Sequence, residues 1–204
     1  MNRLVILGAS GHGKVVSEIA EIIYPKAEIL FLDDAKKGSW CNCKIVGNTE
    51  NFVDYLSDSY FFIAIGDCKI RRKMQEKMEF MGAKFATLIH PSAIVSKNAE
   101  VSPGTVIMAG AVINADCVLN KGVIINTCSS VDHDSIIGNY CHVSVGAHIA
   151  GNVVLGEAVF IGAGATVINN IKIADDSIVG AGAAVVSDIT ETGTYVGVPA
   201  RRKK

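Results

Sequence analysis

The chain has 204 residues, of which half are apolar and 19% are charged, so it can build one or two hydrophobic cores and is not expected to be disordered. Its formal net charge of −1 gives no electrostatic basis for binding nucleic acid or an anionic membrane. No apolar run reaches the length of a membrane span, and the N-terminus lacks the pattern of a signal peptide. The six cysteines contain no CxxC pair, so we expect reduced thiols and a cytoplasmic protein.

The first element is a short apolar strand, residues 4–7, followed by the glycine-rich segment Gly8-Ala-Ser-Gly-His-Gly13. Residues 14–24 have apolar positions at helical spacing, and Pro25 ends that helix. A strand, a glycine-rich turn and a helix form a setting that often holds phosphate at the helix N-terminus. The spacing of the glycines differs from GxGxxG, so a tight turn without a ligand stays open at this point.

A second strand, residues 28–32, ends in Asp33 and Asp34. Carboxylates at this edge of a parallel sheet often contact a ribose or a base, although two aspartates also suit a solvated turn. Residues 36–44 are polar and include Trp40; we expect a loop there and assign it no role.

The remaining elements of this half are a short helix, a buried strand, a charged helix and a last strand. They are predicted over residues 52–56, 60–65, 69–81 and 86–89. The first domain, residues 1–88, is therefore predicted to be a small Rossmann-like α/β sheet.

From residue 93 to about residue 186 the sequence repeats every six residues. Each of sixteen steps has a branched aliphatic residue, and two residues earlier a mostly small one. This period fits neither a helix nor an isolated sheet and is typical of a parallel β-helix, in which each coil covers the apolar edge of the one below. The second domain, residues 89–204, is predicted to be such a β-helix, ending near Val186 because the segment that follows is rich in glycine. The aliphatic positions are Val95, Val101, Ile107, Ile113, Leu119, Ile125, Val131, Ile137, Val143, Ile149, Leu155, Ile161, Val167, Ile173, Val179 and Val185.

His133 is the strongest candidate for chemistry in the repeats. It follows Val131 by two residues, at an outward corner, between Asp132 and Asp134, and either carboxylate could orient the ring and raise its basicity. If each coil contains three hexads, as the family resemblance given below implies, its vertical neighbours are Ala115 and Gly151, which leave space beside the imidazole. A solvated polar corner is the alternative reading.

His142 lies half a coil beyond His133, so the two should face opposite sides of one prism and meet only between subunits. The histidines also raise the question of a metal. His142 and His148 are one hexad apart and therefore on successive faces, so we expect no metal site.

The whole chain resembles the hexapeptide-repeat sugar-nucleotide acetyltransferases of the bacillosamine and sialic-acid O-acetyltransferase group, and most of all the UDP-4-amino-sugar N-acetyltransferases. The segments that carry this resemblance are Gly8-Ala-Ser-Gly-His-Gly13, Phe31-Leu-Asp-Asp34, residues 61–66 with Arg71, Val131-Asp-His-Asp134, residues 142–147 and Val196-Gly-Val-Pro-Ala200. The resemblance implies a left-handed, triangular β-helix with about three hexads per coil, and a homotrimer with active sites between subunits.

The resemblance also implies roles for individual residues. Ser10, Gly11 and His12 would hold the sugar nucleotide, with Asp33 and Asp34 at its uridine and Gly66 nearby. His133 would be the general base and Asp134 would raise its basicity, although relatives often have Glu at that position. His142 and the backbone at Ala163 and Ala181 would line the acetyl-CoA groove.

The expected reaction is acetyl transfer from acetyl-CoA to the 4-amino group of a UDP-4-amino-4,6-dideoxy-N-acetylglucosamine, without a metal. O-acetylation of sialic acid and N-acetylation of a GDP-4-amino sugar stay open as alternatives on the same fold. A module that only trimerises is the alternative from another class, although it would have no need of a histidine between two aspartates.

Overall fold

The computed structural model describes residues 1–203, which form two compact units, Met1–Pro91 and the residues from Ser92 onward. The first unit contains a six-stranded sheet in the order β3-β4-β2-β1-β5-β6, parallel except for the pairing of β3 with β4. Its elements are β1 (Arg3–Leu7), α1 (Gly11–Ile23), β2 (Glu28–Leu32), β3 (Gly38–Trp40), β4 (Cys43–Gly47), a 3-10 helix (Thr49–Tyr55), β5 (Tyr60–Ile63), α2 (Cys68–Phe80), β6 (Lys84–Phe85) and β7 (Leu88–Ile89).

Both helices begin at side-chain caps. The Ser10 hydroxyl accepts from the Gly13 N–H, and the Asp67 carboxylate accepts from the Ile70 N–H. Each cap therefore satisfies a backbone N–H of the first turn, where the helix itself offers no acceptor. One hydrophobic core of this unit joins strand residues such as Val5 and Phe61 to Met78 of α2. The predicted strands and helices are therefore present, with boundaries shifted by up to three residues.

Residues 36–44 do not form the predicted loop. They contain β3 and the start of β4, an antiparallel pair in which Trp40 lies opposite Cys43. The two residues between them, Cys41 and Asn42, both have positive φ (51° and 61°), which is the backbone of a tight two-residue hairpin turn. Cys-Asn is a weak signal for that turn compared with Asn-Gly, so the sequence did not reveal the hairpin.

The second unit is built from very short strands. They are β8 (Ile94–Val95), β9 (Glu100–Val101), β10 (Val106–Ile107), β11 (Val112–Ile113), β12 (Val118–Leu119), β13 (Ile124–Ile125), β14 (Ser130–Val131), β15 (Ile136–Ile137), β16 (His142–Val143), β17 (His148–Ile149), β18 (Val154–Leu155), β19 (Phe160–Ile161), β20 (Thr166–Val167), β21 (Lys172–Ile173), β22 (Ile178–Val179), β23 (Ala184–Val185), β24 (Thr194–Val196) and β25 (Arg201–Arg202).

Each strand from β8 to β20 pairs in parallel with the strand three further along, which is one complete coil later, so three faces form a prism. We call them the first face (β10, β13, β16, β19, β22), the second face (β8, β11, β14, β17, β20, β23) and the third face (β9, β12, β15, β18, β21). Each strand from β8 to β23 ends at one of the sixteen predicted aliphatic residues, and those from Ile107 to Val185 are buried. The predicted hexad and its inward face are confirmed.

The corners of the prism have a period of their own. One residue in every six, from Gly104 to Gly182, has a positive φ between 52° and 77°. Six of these positions are glycines, and the others include several Asp and Asn residues, which tolerate the left-handed conformation better than most side chains. Asp134 occupies one of them, with φ of 60°.

The β-helix does not stop near Val186 as the sequence predicted. β24 pairs in parallel with β22 and extends the first face, Ile189 bridges to Ile173 on the third face, and β25 turns back against β24. The register explains the error. Ile178 lies opposite Thr194, whereas a full coil would place position 196 there, so this last coil is shorter than the others and breaks the period.

Candidate functional site

Three loops of the first unit meet at one edge of its sheet. β2, β1 and β5 are adjacent and parallel, so the segments that follow Leu32, Leu7 and Ile63 leave from the same edge. The residues predicted to bind the sugar nucleotide, Ser10, Gly11, His12, Asp33, Asp34 and Gly66, all belong to these segments or to the first turn of α1. This is the edge at which open parallel sheets bind ligands.

The glycine-rich loop after β1 needs glycine at two positions, Gly8 and Gly13. Gly8 has φ of +106°, and a Cβ at Gly13 would lie 2.2 Å from the Gly8 carbonyl oxygen. The Ser10 hydroxyl donates to the Ala64 carbonyl at 3.4 Å as well as capping α1, so Ser10 connects this loop to the segment after β5. Any side chain at Gly13 would force the loop away from the helix.

Asp33 joins two of the three loops. One carboxylate oxygen accepts from the Ala9 N–H at 2.7 Å, and the other accepts from Ala35 and Lys36 at 2.9 and 2.8 Å. Burial alone would raise the pKa of Asp33, but the three backbone donors and the nearby Lys36 charge outweigh it and lower that pKa below its ordinary value. Asp33 is therefore ionised, and its hydrogen bonds connect the loops.

Asp34 is exposed and lies between two cavities of the first unit. Its carboxylate accepts from the backbone N–H and the hydroxyl of Thr49, at 2.8 to 3.0 Å. A cavity of about 400 Å³ extends toward Phe52 and Met74, and one of about 540 Å³ includes Lys36. Both volumes lie in the range of small-molecule sites.

Trp40, to which the sequence assigned no role, lies beside the glycine-rich loop and contacts two lysine side chains. The Lys36 and Lys14 ammonium groups lie 3.3 and 4.7 Å from the centroid of its ring, and its indole N–H donates to the Ser10 carbonyl at 3.3 Å. Lys36 also donates to the Ala9 carbonyl. Two cations at the N-terminus of a 13-residue helix favour an anionic ligand. Only the β3–β4 hairpin brings Trp40 here.

A buried arginine donates hydrogen bonds to the segment that follows β5. Arg71 is fully buried, and its Nη1 donates to the carbonyl oxygens of Ile65 and Gly66 at 2.8 and 3.1 Å. Gly66 is thus positioned by a residue of α2.

In the second unit, His133 lies at the corner between the second and third faces, in the turn from β14 to β15. Its Nδ1 lies 2.7 Å from Asp134 Oδ2, and its side chain is 59% exposed. Because an ionised carboxylate only accepts, Nδ1 carries the proton in the neutral ring and Nε2 keeps a lone pair. The hydrogen bond with Asp134, and secondarily the charge of Asp132, raise the pKa of His133 above its ordinary value.

The two aspartates beside His133 have different positions. Asp134 contacts the ring, whereas Asp132 Oδ1 accepts from the His133 backbone N–H at 2.8 Å and from Asn114 Nδ2 at 2.7 Å. These two bonds, the backbone one first, lower the pKa of Asp132. Asp134 therefore orients the imidazole and Asp132 fixes the turn, a division that the sequence left open. Asn114 was not anticipated, although it lies one complete coil before Asp132.

His142 is on the first face and is 8% exposed. Its Nε2 lies 3.1 Å from Asn126 Nδ2, and its ring meets Phe160 edge-on with centroids 5.1 Å apart. The Asn126 Oδ1 accepts from the Thr127 N–H, which leaves its amide nitrogen to donate to His142. Asn126 was not anticipated from the sequence.

Ala163 and Ala181 are exposed and lie at the corner between the first and second faces, where the Gly182 N–H donates to the Ala163 carbonyl. His133 is at a different corner of the same coil stack, and His142 is on the face opposite the His133 corner. Within one β-helix, then, the catalytic candidates and the acetyl-CoA candidates are not brought together.

Among residues 1–203, no three His, Cys, Asp or Glu side chains are grouped as metal ligands. The helices in this part of the chain are too short or too polar to cross a bilayer.

Two protein families match successive parts of the chain: the PglD N-terminal domain over residues 3–78 and the GMPPB C-terminal domain over residues 84–181. Among curated proteins, the UDP-N-acetylbacillosamine N-acetyltransferase of Bacillus subtilis is 40% identical over 111 residues, 52% of this chain. That match spans about half (51%) of the relative's length.

Solved structures match over the full chain. The acetyltransferase domain of PglB from Neisseria gonorrhoeae is 40% identical, with a TM-score of 0.97 and all of both chains covered, and it is also known in complex with acetyl coenzyme A. PerB from Caulobacter crescentus, in complex with CoA and GDP-perosamine, is 36% identical, with a TM-score of 0.91 and coverage of 100% of this chain and 98% of PerB. The predicted fold class, an α/β domain followed by a left-handed parallel β-helix, is confirmed.

Proposed function

This chain belongs to the sugar-nucleotide N-acetyltransferases that join a PglD-type N-terminal domain to a hexapeptide-repeat β-helix, and from that premise we propose that it acetylates the 4-amino group of a UDP-4-amino-4,6-dideoxy-N-acetylglucosamine. The acetyl donor is acetyl-CoA and the product is UDP-N,N′-diacetylbacillosamine. The observation that carries the proposal is the exposed His133–Asp134 pair with an available Nε2.

In the proposed reaction the amine nitrogen attacks the thioester carbon while His133 Nε2 takes a proton from that nitrogen. The C–S bond then breaks, and the His133 imidazolium returns the proton to the departing sulfur, so the products are the acetamide and free CoA and the base is regenerated. Asp134 stabilises the imidazolium that forms. A covalent acetyl-enzyme is unnecessary because the amine is itself a good nucleophile.

The sugar nucleotide is assigned to the sheet edge of the first unit. Ser10, Gly11 and His12 would contact it at the start of α1, Asp34 would meet the uridine, and Gly66 would lie nearby. Asp33 was also predicted at the uridine, but both its oxygens accept backbone hydrogen bonds, so we assign it the support of the loops. The Lys14 and Lys36 charges favour the diphosphate.

A homotrimer with shared active sites is the assembly that we favour. His133 needs acetyl-CoA near it, yet the residues assigned to acetyl-CoA, His142, Ala163 and Ala181, lie elsewhere on the same prism. A neighbouring subunit would bring its own His142 face and alanine corner to the His133 corner. We place the reaction in the cytoplasm, consistent with six free cysteines.

The test is an assay of purified protein with acetyl-CoA and a panel of UDP-, GDP- and CMP-linked sugars, with release of the CoA thiol as the measurement. We expect turnover with the UDP-4-amino sugar above all. Preference for a GDP-4-amino sugar would support the second candidate, which the 36% identity to PerB favours. Turnover only with a sialic-acid hydroxyl would indicate O-acetylation. No turnover with any of the sugars would favour the remaining alternative, a non-catalytic module that only trimerises.

A further inference from the structure

Gly151 lies directly against the imidazole of His133. It occupies the same corner one coil further along the prism, and the neighbouring Asn152 N–H donates to the His133 carbonyl at 2.8 Å. A Cβ at Gly151 would lie 2.6 Å from Cε1, 2.7 Å from Nε2 and 3.2 Å from Nδ1 of His133. All three distances are shorter than an ordinary van der Waals contact of about 3.5 Å.

The glycine is needed here for space and not for its backbone freedom. Gly151 is absent from the residues with positive φ, so its backbone conformation is open to alanine. The imidazole is exposed and could turn toward solvent, but its Nδ1 is hydrogen-bonded to Asp134 at 2.7 Å, so turning the ring disturbs that bond. A methyl group at position 151 would therefore force the ring to turn and would break or lengthen that hydrogen bond.

We propose that Gly151 is a positioning residue, whose missing side chain lets the His133 ring lie against the coil in the one orientation that joins Nδ1 to Asp134. This inference rests on the proposed role of His133 as the general base. It concerns the missing side chain of Gly151 and the effect of that space on the orientation of the ring.

The experiment is Gly151→Ala, measured in two independent ways. The kcat should fall by roughly 10²-fold, because a misplacement of about 1 Å in a catalytic group has that effect, while KM for both substrates stays near the wild-type value. In an NMR titration, the pKa of the His133 imidazole should move down toward that of an unpaired histidine, because the bond to Asp134 is lost.

Two controls separate positioning from general damage. In a His133→Ala background, Gly151→Ala should cause no further loss of residual activity and little change in Tm, because the ring that it displaces is gone. Asn169→Ala, at the next position of the same corner, is exposed and should leave kcat and the His133 titration unchanged.

An unchanged kcat together with an unchanged His133 titration in Gly151→Ala would overturn the proposal. An equal loss of Tm in the wild-type and His133→Ala backgrounds would also overturn it, because the glycine would then serve the coil itself. The NMR titration needs no turnover, so it tests the position of the ring even if the proposed reaction proves wrong.

Discussion

Mixing two inactive variants tests whether each active site is shared between subunits. His133→Ala removes the proposed base at the corner between the second and third faces, and His142→Ala removes a side chain on the first face. In a cyclic trimer, suppose that each site takes His133 from one subunit and His142 from the next. Any trimer that contains both variants then has one subunit boundary at which both wild-type histidines meet.

The expected recovery follows from that count. Trimers with two chains of one variant and one of the other contain one intact site in three, whichever variant is in excess. Mixed trimers isolated with two different affinity tags should therefore show about one third of the wild-type kcat per trimer, with wild-type KM values. If both histidines served a site within one chain, every site would lack one of them and no activity would return.

A dilution series provides the control. When wild-type chains are mixed in equal amounts with chains carrying both substitutions, a shared site survives only where two wild-type chains adjoin, which leaves about one quarter of the sites. Sites within one chain would fall to about one half. No recovery in verified mixed trimers, together with a fall to one half, would refute the shared site.

Four further predictions concern single residues. His133→Ala should lower kcat by roughly 10²- to 10⁴-fold with little change in either KM, and a comparable rise in KM would contradict a role as base. Asp134→Ala should have a smaller effect and move the acidic limb of the kcat/KM profile to lower pH, because the carboxylate raises the pKa of His133; an unmoved limb would show that the hydrogen bond does not tune the base. Asp34→Ala should raise KM for the sugar nucleotide alone, whereas Asp33→Asn should lower the free energy of unfolding by about 1–3 kcal/mol, because an amide cannot accept all three backbone hydrogen bonds. That stability difference should be present at neutral pH and disappear as acid protonates Asp33, whose pKa is lowered in the folded state; chemical denaturation at several pH values measures it.

The β-helix could be predicted because its physical requirements repeat. Every inward position must fill the same axis, so the aliphatic residues recur at a fixed spacing, and all of them except the first two, Val95 and Val101, are buried. That register also placed His133 against Gly151, which a stack of coils of three hexads indicates without a structure. The last coil was not predicted because it has fewer residues than the others, which breaks the six-residue period.

The contacts within the site could not be predicted in the same way. Whether Asp132 or Asp134 meets the imidazole depends on the direction in which each side chain leaves the turn, and the hexad does not encode it. Trp40 reaches Ser10 through a hairpin whose turn has no strong sequence signal. In the sequence, Asn114 and Asn126 look like any other polar corner residue. Their roles become visible only from their contacts about one coil later, with Asp132 and His142 respectively.

The pairing of each strand with the one a complete coil later restricts how the length of the β-helix can change. Insertion or deletion of a few residues within a strand would move the later aliphatic side chains off the axis, whereas a whole coil of three hexads preserves every pairing. A corner can absorb a small change, as in the last coil, which has fewer residues than the others while β24 still pairs with β22. Adding one complete coil after β23 would lengthen the prism by about 4.8 Å and leave the His133 corner undisturbed. Adding one between Ala115 and His133 would keep the fold but replace the neighbour of Asp132, so Asn114 would no longer lie one coil below it. Variation in length by whole coils therefore preserves the strand pairings, and its effect on the site depends on which side of His133 the coil is added.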